Sequence, residues 1–146
     1  MTCLTIALAT MVALQDAAAQ KDDSRPIARP NAALVQAGSL TAEAARYLIA
    51  AQEKEGGWAS QTGPGITCLV LKALIDEPTV GPKHAAVLRG VTFVAGFQRD
   101  DGGIYAAEGM LKSYETSVAL SLFSALEQED FAKRIGDAQA FLKDNQ

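Results

Sequence analysis

Hydrophobic positions along the chain follow two rhythms. In the first, Phe131, Ile135, Ala138 and Leu142 recur at i, i+4, i+7 and i+11, and Val87, Val91, Val94 and Gln98 keep the same beat. That is the pattern of an amphipathic helix with one face on a core. In the second, the run is apolar nearly all round. Leu69 to Ile75 carries only Lys72 as a charge and Thr116 to Leu126 carries none, which predicts helices buried on most sides. Gly81-Pro82 predicts the start of the second amphipathic helix, because proline in a first turn sacrifices no hydrogen bond. No run reads as a strand. The expected class is all-α, each unit being an outer amphipathic helix, a glycine turn and an inner buried helix.

These units repeat. Tyr47 stands five positions before Gln52, Phe93 five before Gln98, and Phe141 five before Gln146, so the glutamines are spaced by 46 and 48 residues. After two of them the match continues: Gln52-Glu53-Lys54-Glu55-Gly56-Gly57-Trp58 answers Gln98-Arg99-Asp100-Asp101-Gly102-Gly103-Ile104-Tyr105. A threonine then opens each apolar run, Thr67 in one and Thr116 in the other. A fixed period of this length is the mark of repeat architecture. Chemistry explains the choice of residues. A glutamine amide both donates and accepts, and can satisfy the orphan carbonyls or amides that helix ends leave. Paired glycines permit positive φ and close backbone approach where the chain reverses. The aromatic residue beyond them can seal the joint from water. Read this way the motif is a staple between stacked hairpins, made of Gln52, Gly56, Gly57 and Trp58, then Gln98, Gly102, Gly103 and Tyr105, with Gln146 opening a third.

Outside the repeats, the first nineteen residues read as an address. Leu4 to Leu14 is mostly apolar yet too short to span a bilayer, and Ala17-Ala18-Ala19 supplies a small-residue cleavage pattern. Residues 1–19 are therefore expected to be a secretory signal, 20–39 a proline-containing linker, and 40–146 the repeat region. This implies an exported protein, periplasmic or extracellular, with no transmembrane span in the mature chain. Loss of the leader removes Cys3 and leaves Cys68 as the lone thiol, expected to be buried in its apolar run.

Charge narrows the partners. The 146 residues carry a net charge of −4 without a Lys/Arg cluster, so no basic field exists to hold nucleic acid. The single histidine, His84, lies beside Lys83 and reads as a solvent-facing first-turn residue, since a catalytic zinc takes three protein ligands. Asp100-Asp101 falls inside a turn. No phosphate loop, nucleophile elbow or zinc-protease motif is present. Tyr114 and Glu115, at an inner helix start, are the candidate ligand contacts, although an acidic residue is favourable at a helix N-terminus in any case.

Gln52-x-x-x-Gly56-x-Trp58 resembles the QW motif of the prenyltransferase and squalene–hopene cyclase repeat superfamily. Gln98-x-x-Asp101-Gly102-Gly103-Ile104-Tyr105, followed by Tyr114-Glu115-Thr116, resembles a variant of it, with Ile104 in the tryptophan position and Tyr105 one residue late. The resemblance covers Leu40 to Gln146 and implies a partial α/α toroid, about two and a half repeats of a larger ring. The Asp-x-Asp-Asp acid of the cyclases, the zinc-ligand set of the protein prenyltransferases and the Cys-Gly-Glu-Gln thioester segment of complement-like toroids are missing from the sequence. No residue is therefore assigned to catalysis, to a cofactor or to a metal. The expected function is binding or scaffolding by a fragment that stops in mid-motif. The alternative is part of a terpenoid cyclase or prenyltransferase-like enzyme whose catalytic repeats lie beyond residue 146. The partner is unknown; self-association through open repeat ends would complete a ring. An open HEAT-type solenoid has a similar period but does not call for the Gln…Gly-Gly-Trp joint.

Overall fold

A computed structural model describes residues 32–145. The expected signal sequence, the start of the expected linker and Gln146 lie outside these residues. Five α-helices are present among them: α1, Ala32–Ala50; α2, Gly65–Asp76; α3, Ala85–Ala95; α4, Lys112–Ala125; and α5, Ala132–Asp144. The chain divides into two units between Val35 and Gln36, and the helix packing belongs to the second. Among the described residues there is no strand, only one isolated antiparallel bridge between Gln98 and Ile104. No helix among them is long and apolar enough to cross a membrane.

Local chemistry sets the helix ends. Pro64 precedes α2, and its carbonyl accepts from the Cys68 N–H at 2.9 Å. Pro78 forces the residue before it out of the helical region, and Glu77 is accordingly extended at φ −78°, ψ 119°. The helix stops one residue earlier, at Asp76. The start of α3 differs from expectation. Gly81 adopts φ +74° and spends Pro82 in a turn, so the helix begins at Ala85. His84 is its cap: the Nδ1 of its imidazole accepts from the Ala86 N–H at 3.1 Å. It thus supplies the acceptor that Ser or Asp more often provides. Residues 32–39, placed within the expected linker, lie in the opening of α1.

Packing is sequential. The apolar helices α2 and α4 lie against each other, α3 packs on α2, and α5 on α4. Both apolar helices start at the same end of the pair, because Tyr114 at the start of α4 meets Gly65 at the start of α2. One core joins them, with Leu71, Leu74, Val87, Val94, Leu122 and Phe123 essentially inaccessible to solvent. Phe123 stacks on Phe131 at 4.8 Å between ring centroids. Gly90 of α3 lies close against α2, where a Cβ would lie 2.6 Å from Leu71 Cδ2. Burial of the apolar helices is less complete than their composition predicts. Ile66, Leu69 and Ala73 of α2 are exposed, as are Ser113, Ser117, Ser121 and Ser124 of α4. The serines recur every three or four residues and give α4 a polar face without any charge.

The contact between Gly90 and Leu71 makes a testable pair. Leu71→Ala is expected to cost about 2–5 kcal/mol. Gly90→Ala, normally a gain within a helix, is expected to destabilise the wild type and to be tolerated in the Leu71→Ala background, where the space exists. Urea unfolding of the two single variants and the double variant measures the coupling.

Candidate functional site

The sequence singles out the two joints, and the structure builds them alike. In the first, Gln52 lies just past the end of α1. Its Nε2 donates to the carbonyls of Gly56 and of Ala86, each at 2.8 Å. Its Oε1 accepts from the Arg89 guanidinium on α3. In the second, Gln98 lies just past α3. Its Nε2 donates to the Gly102 carbonyl at 2.9 Å, and its Oε1 accepts from Arg134 Nη1 on α5 at 3.1 Å. Each glutamine thus closes its own turn through the donor side of the amide and binds the next amphipathic helix through the acceptor side.

The turns themselves match bond for bond. Glu53 N–H donates to Gly57 O at 3.0 Å and Gly56 N–H to Glu53 O at 2.9 Å; Arg99 and Gly102 repeat these bonds at 2.8 and 3.0 Å. Gly56 and Gly102 carry φ of +100° and +86°, a region that favours glycine. Space gives a second reason. A Cβ would lie 2.8 Å from the Arg89 carbonyl oxygen at Gly56, and 2.7 Å from that of Asp137 at Gly102. Each turn therefore rests directly on the backbone of the next amphipathic helix. Of the following glycines, Gly57 lies under the ring of Phe93, and Gly103 lies against the ring of Tyr105 with that of Phe141 next to it. Phe93 and Phe141 are the aromatics five positions before a glutamine, so each serves the joint before it as well as marking the one after. Tyr47, the first of the series, is 74% exposed.

Beyond the glycines the joints diverge. Trp58 is 6% exposed, and its Nε1 donates to the Leu48 carbonyl at 2.8 Å. Ile104 takes that position in the second joint and is fully buried, while Tyr105 tilts against Phe141 at 5.5 Å. The threonines that open the apolar runs hold this residue from both sides. Thr67 Oγ1 accepts from the Trp58 N–H at 3.0 Å and donates to its carbonyl at 3.3 Å; Thr116 does the same to Ile104 at 3.0 and 3.4 Å.

The candidate chemical groups also have structural partners. Glu115 is 4% exposed; its Oε2 accepts from the Ala106 N–H at 2.8 Å, and its Oε1 faces Gly63. It ties the loop before α4 to the turn before α2. Tyr114 remains about half exposed beside Gly65. Cys68 is buried and free. Burial first, and the Glu115 charge second, push its thiol up to about 12, far from the range of a reactive thiolate. Asp101 accepts from the Gly103 N–H and the Tyr105 hydroxyl. Partial desolvation raises its carboxyl, but these two bonds and the Lys112 charge outweigh it and leave it below its ordinary value. Among the described residues no group of three or more His, Cys, Asp and Glu is placed to hold a metal ion.

Arg89 and Arg134 are the functional side chains of the joints that the sequence pattern did not single out. They stand 45 residues apart, one short of the glutamine spacing, and that near-coincidence was the available signal.

Two outcomes follow. Trp58→Ala is expected to cost about 3–5 kcal/mol in thermal or urea unfolding, and Trp58→Phe, which keeps most of the bulk and loses the bond to Leu48, a smaller amount. For Asp101 the folded carboxyl is lowered, so its stabilisation is full above the ordinary value of 3.8. It is lost as the pH falls below that and through the folded value. Asp101→Asn should flatten this acid limb, read as midpoint against pH. Compared with known proteins, the chain matches no family model, no curated protein and no solved structure.

Proposed function

We propose that this chain is an exported arc of an α/α toroid of the prenyltransferase and squalene–hopene cyclase repeat type, which binds or scaffolds rather than catalyses. The observation that carries this reading is the duplicated joint, in which glutamine, glycine pair, threonine and arginine recur with the same bonds. Support for the absence of chemistry comes from what the polar groups do. His84 caps a helix, Glu115 and Asp101 hold backbone amides, and the Cys68 thiol stays protonated. A protonating acid needs a carboxyl aimed at a substrate cavity and held neutral; the Asp101 carboxyl is shifted the opposite way. The half-exposed Tyr114 lies against Gly65 where two helix starts meet, and Ile66 and Leu69 of α2 are exposed as well, apolar positions suited to contact rather than turnover.

Incubation of the purified chain with squalene, and separately with a prenyl diphosphate and a thiol acceptor, is expected to give no product above the protein-free control. A cyclised or prenylated product that scales with protein concentration would overturn the reading in favour of the enzyme alternative.

A further inference from the structure

A groove of about 290 Å³ runs between α1 and α2, walled by Thr41, Ala44 and Leu48 on one side and Ala73, Leu74 and Glu77 on the other. The internal repeat shows what such a groove holds. Shifted by the 46 residues that separate Gln52 from Gln98, the α1 wall becomes Val87, Gly90 and Val94 of α3. Shifted by the 49 that separate Thr67 from Thr116, the α2 wall becomes Leu122, Phe123 and Leu126 of α4. All six of these are buried, and the element packed against both α3 and α4 is α2, with Leu71 seated on Gly90. The α1–α2 groove is the same surface one repeat earlier, with no described helix in it. Ala44, at the Gly90 position, and Ala73, at the Leu122 position, are both solvent-exposed.

We propose that this groove docks an amphipathic α-helix from another polypeptide. Such a helix would run parallel to α2 and present leucine-class side chains at the spacing of Leu71 and Leu74. Parallel direction follows from the shared starting end of α2 and α4. The chemistry of one end differs from the filled copy: Asp76 and Glu77 stand where α4 has Ala125 and Leu126. Glu77 is buried and its carboxylate already accepts from the Thr79 N–H and hydroxyl, so the docked helix brings its C-terminal turn to the exposed Asp76, where a Lys or Arg pairs with the acid and with its own helix dipole together. A further repeat joined by the same staple fits less well. Counted back from the aromatic of each repeat, the positions on α1 corresponding to Arg89 and Arg134 are Glu43 and Leu40, and neither side chain can donate to a glutamine Oε1. The proposal rests on the binding reading above and gives it a partner class.

The probe is a fluorescein-labelled, helix-stapled peptide of residues 65–76 with Asp76→Lys, titrated into the full chain and followed by anisotropy. Saturable one-to-one binding is expected. It should weaken at least about tenfold with Ala44→Glu or Ala73→Glu, which place an unpaired charge on either wall, and be unchanged with Ala140→Glu on α5. All three positions are exposed, and unchanged thermal unfolding checks that each variant folds. Restoring Asp76 in the peptide should weaken binding in low salt. Absence of saturable binding, or binding indifferent to both wall variants, overturns the proposal. So does a dimer of the chain alone that Ala44→Glu dissociates in sedimentation, since the occupant is then a second copy. Product formation from squalene would instead remove the binding reading while leaving the peptide result to stand by itself.

Discussion

A primary amide can donate and accept at once, and the arrangement of these helices depends on that property at Gln52 and Gln98. The donor side closes a glycine turn onto itself, and the acceptor side takes a guanidinium from the next amphipathic helix. A carboxylate in the same place would lack the donor, leaving the Gly56 and Gly102 carbonyls without this partner. The bond to arginine is charge-assisted, which places it among the stronger hydrogen bonds; it is exposed at Arg89 and part-buried at Arg134. Everything downstream of each glutamine follows from the turn it fixes. The glycines can lie on the next helix only because the loop is held tight, and the threonine of the following helix reaches the chain only because it emerges at that spot.

Connections of this kind couple nearest neighbours. Each amphipathic helix packs on the apolar helix before it and is latched by the turn before that, so stability accumulates along the chain as in other repeat architectures. The ends differ accordingly. Phe93 and Phe141 each cover a glycine of the preceding joint, whereas Tyr47 has no described joint to cover and projects into solvent. Tyr47, Ala44 and Ala73 match buried or half-buried positions of the next repeat and are exposed where no described helix packs on them.

The sequence carried the joints in considerable detail because they are built from residues with narrow uses. A glycine pair that follows a glutamine at constant spacing points to a tight reversal between helices and to little else, and Ile104 was legible as the stand-in for tryptophan. Long, flexible side chains were harder to place. Arg89 and Arg134 reach their glutamines from differently spaced helical turns, so alignment by period alone passes over them. The start of α3 was misplaced because proline is welcome in a first turn, while the left-handed Gly81 before it and the capping capacity of an imidazole decided otherwise. The apolar helices looked buried all round because serine carries no charge. Its recurrence on one face of α4 was visible in the spacing, but uncharged composition hid it.

The seclusion of Cys68 has a consequence for how the protein ages. Burial pushes its thiol up to about 12, so that the thiol form dominates at neutral pH, and the residue is inaccessible to solvent. Peroxide and disulfide exchange both act on the thiolate and need access to it. At Cys68 the folded chain is therefore closed to both reactions, and cross-linking through this thiol waits on unfolding, so that covalent damage there would record past excursions from the native state.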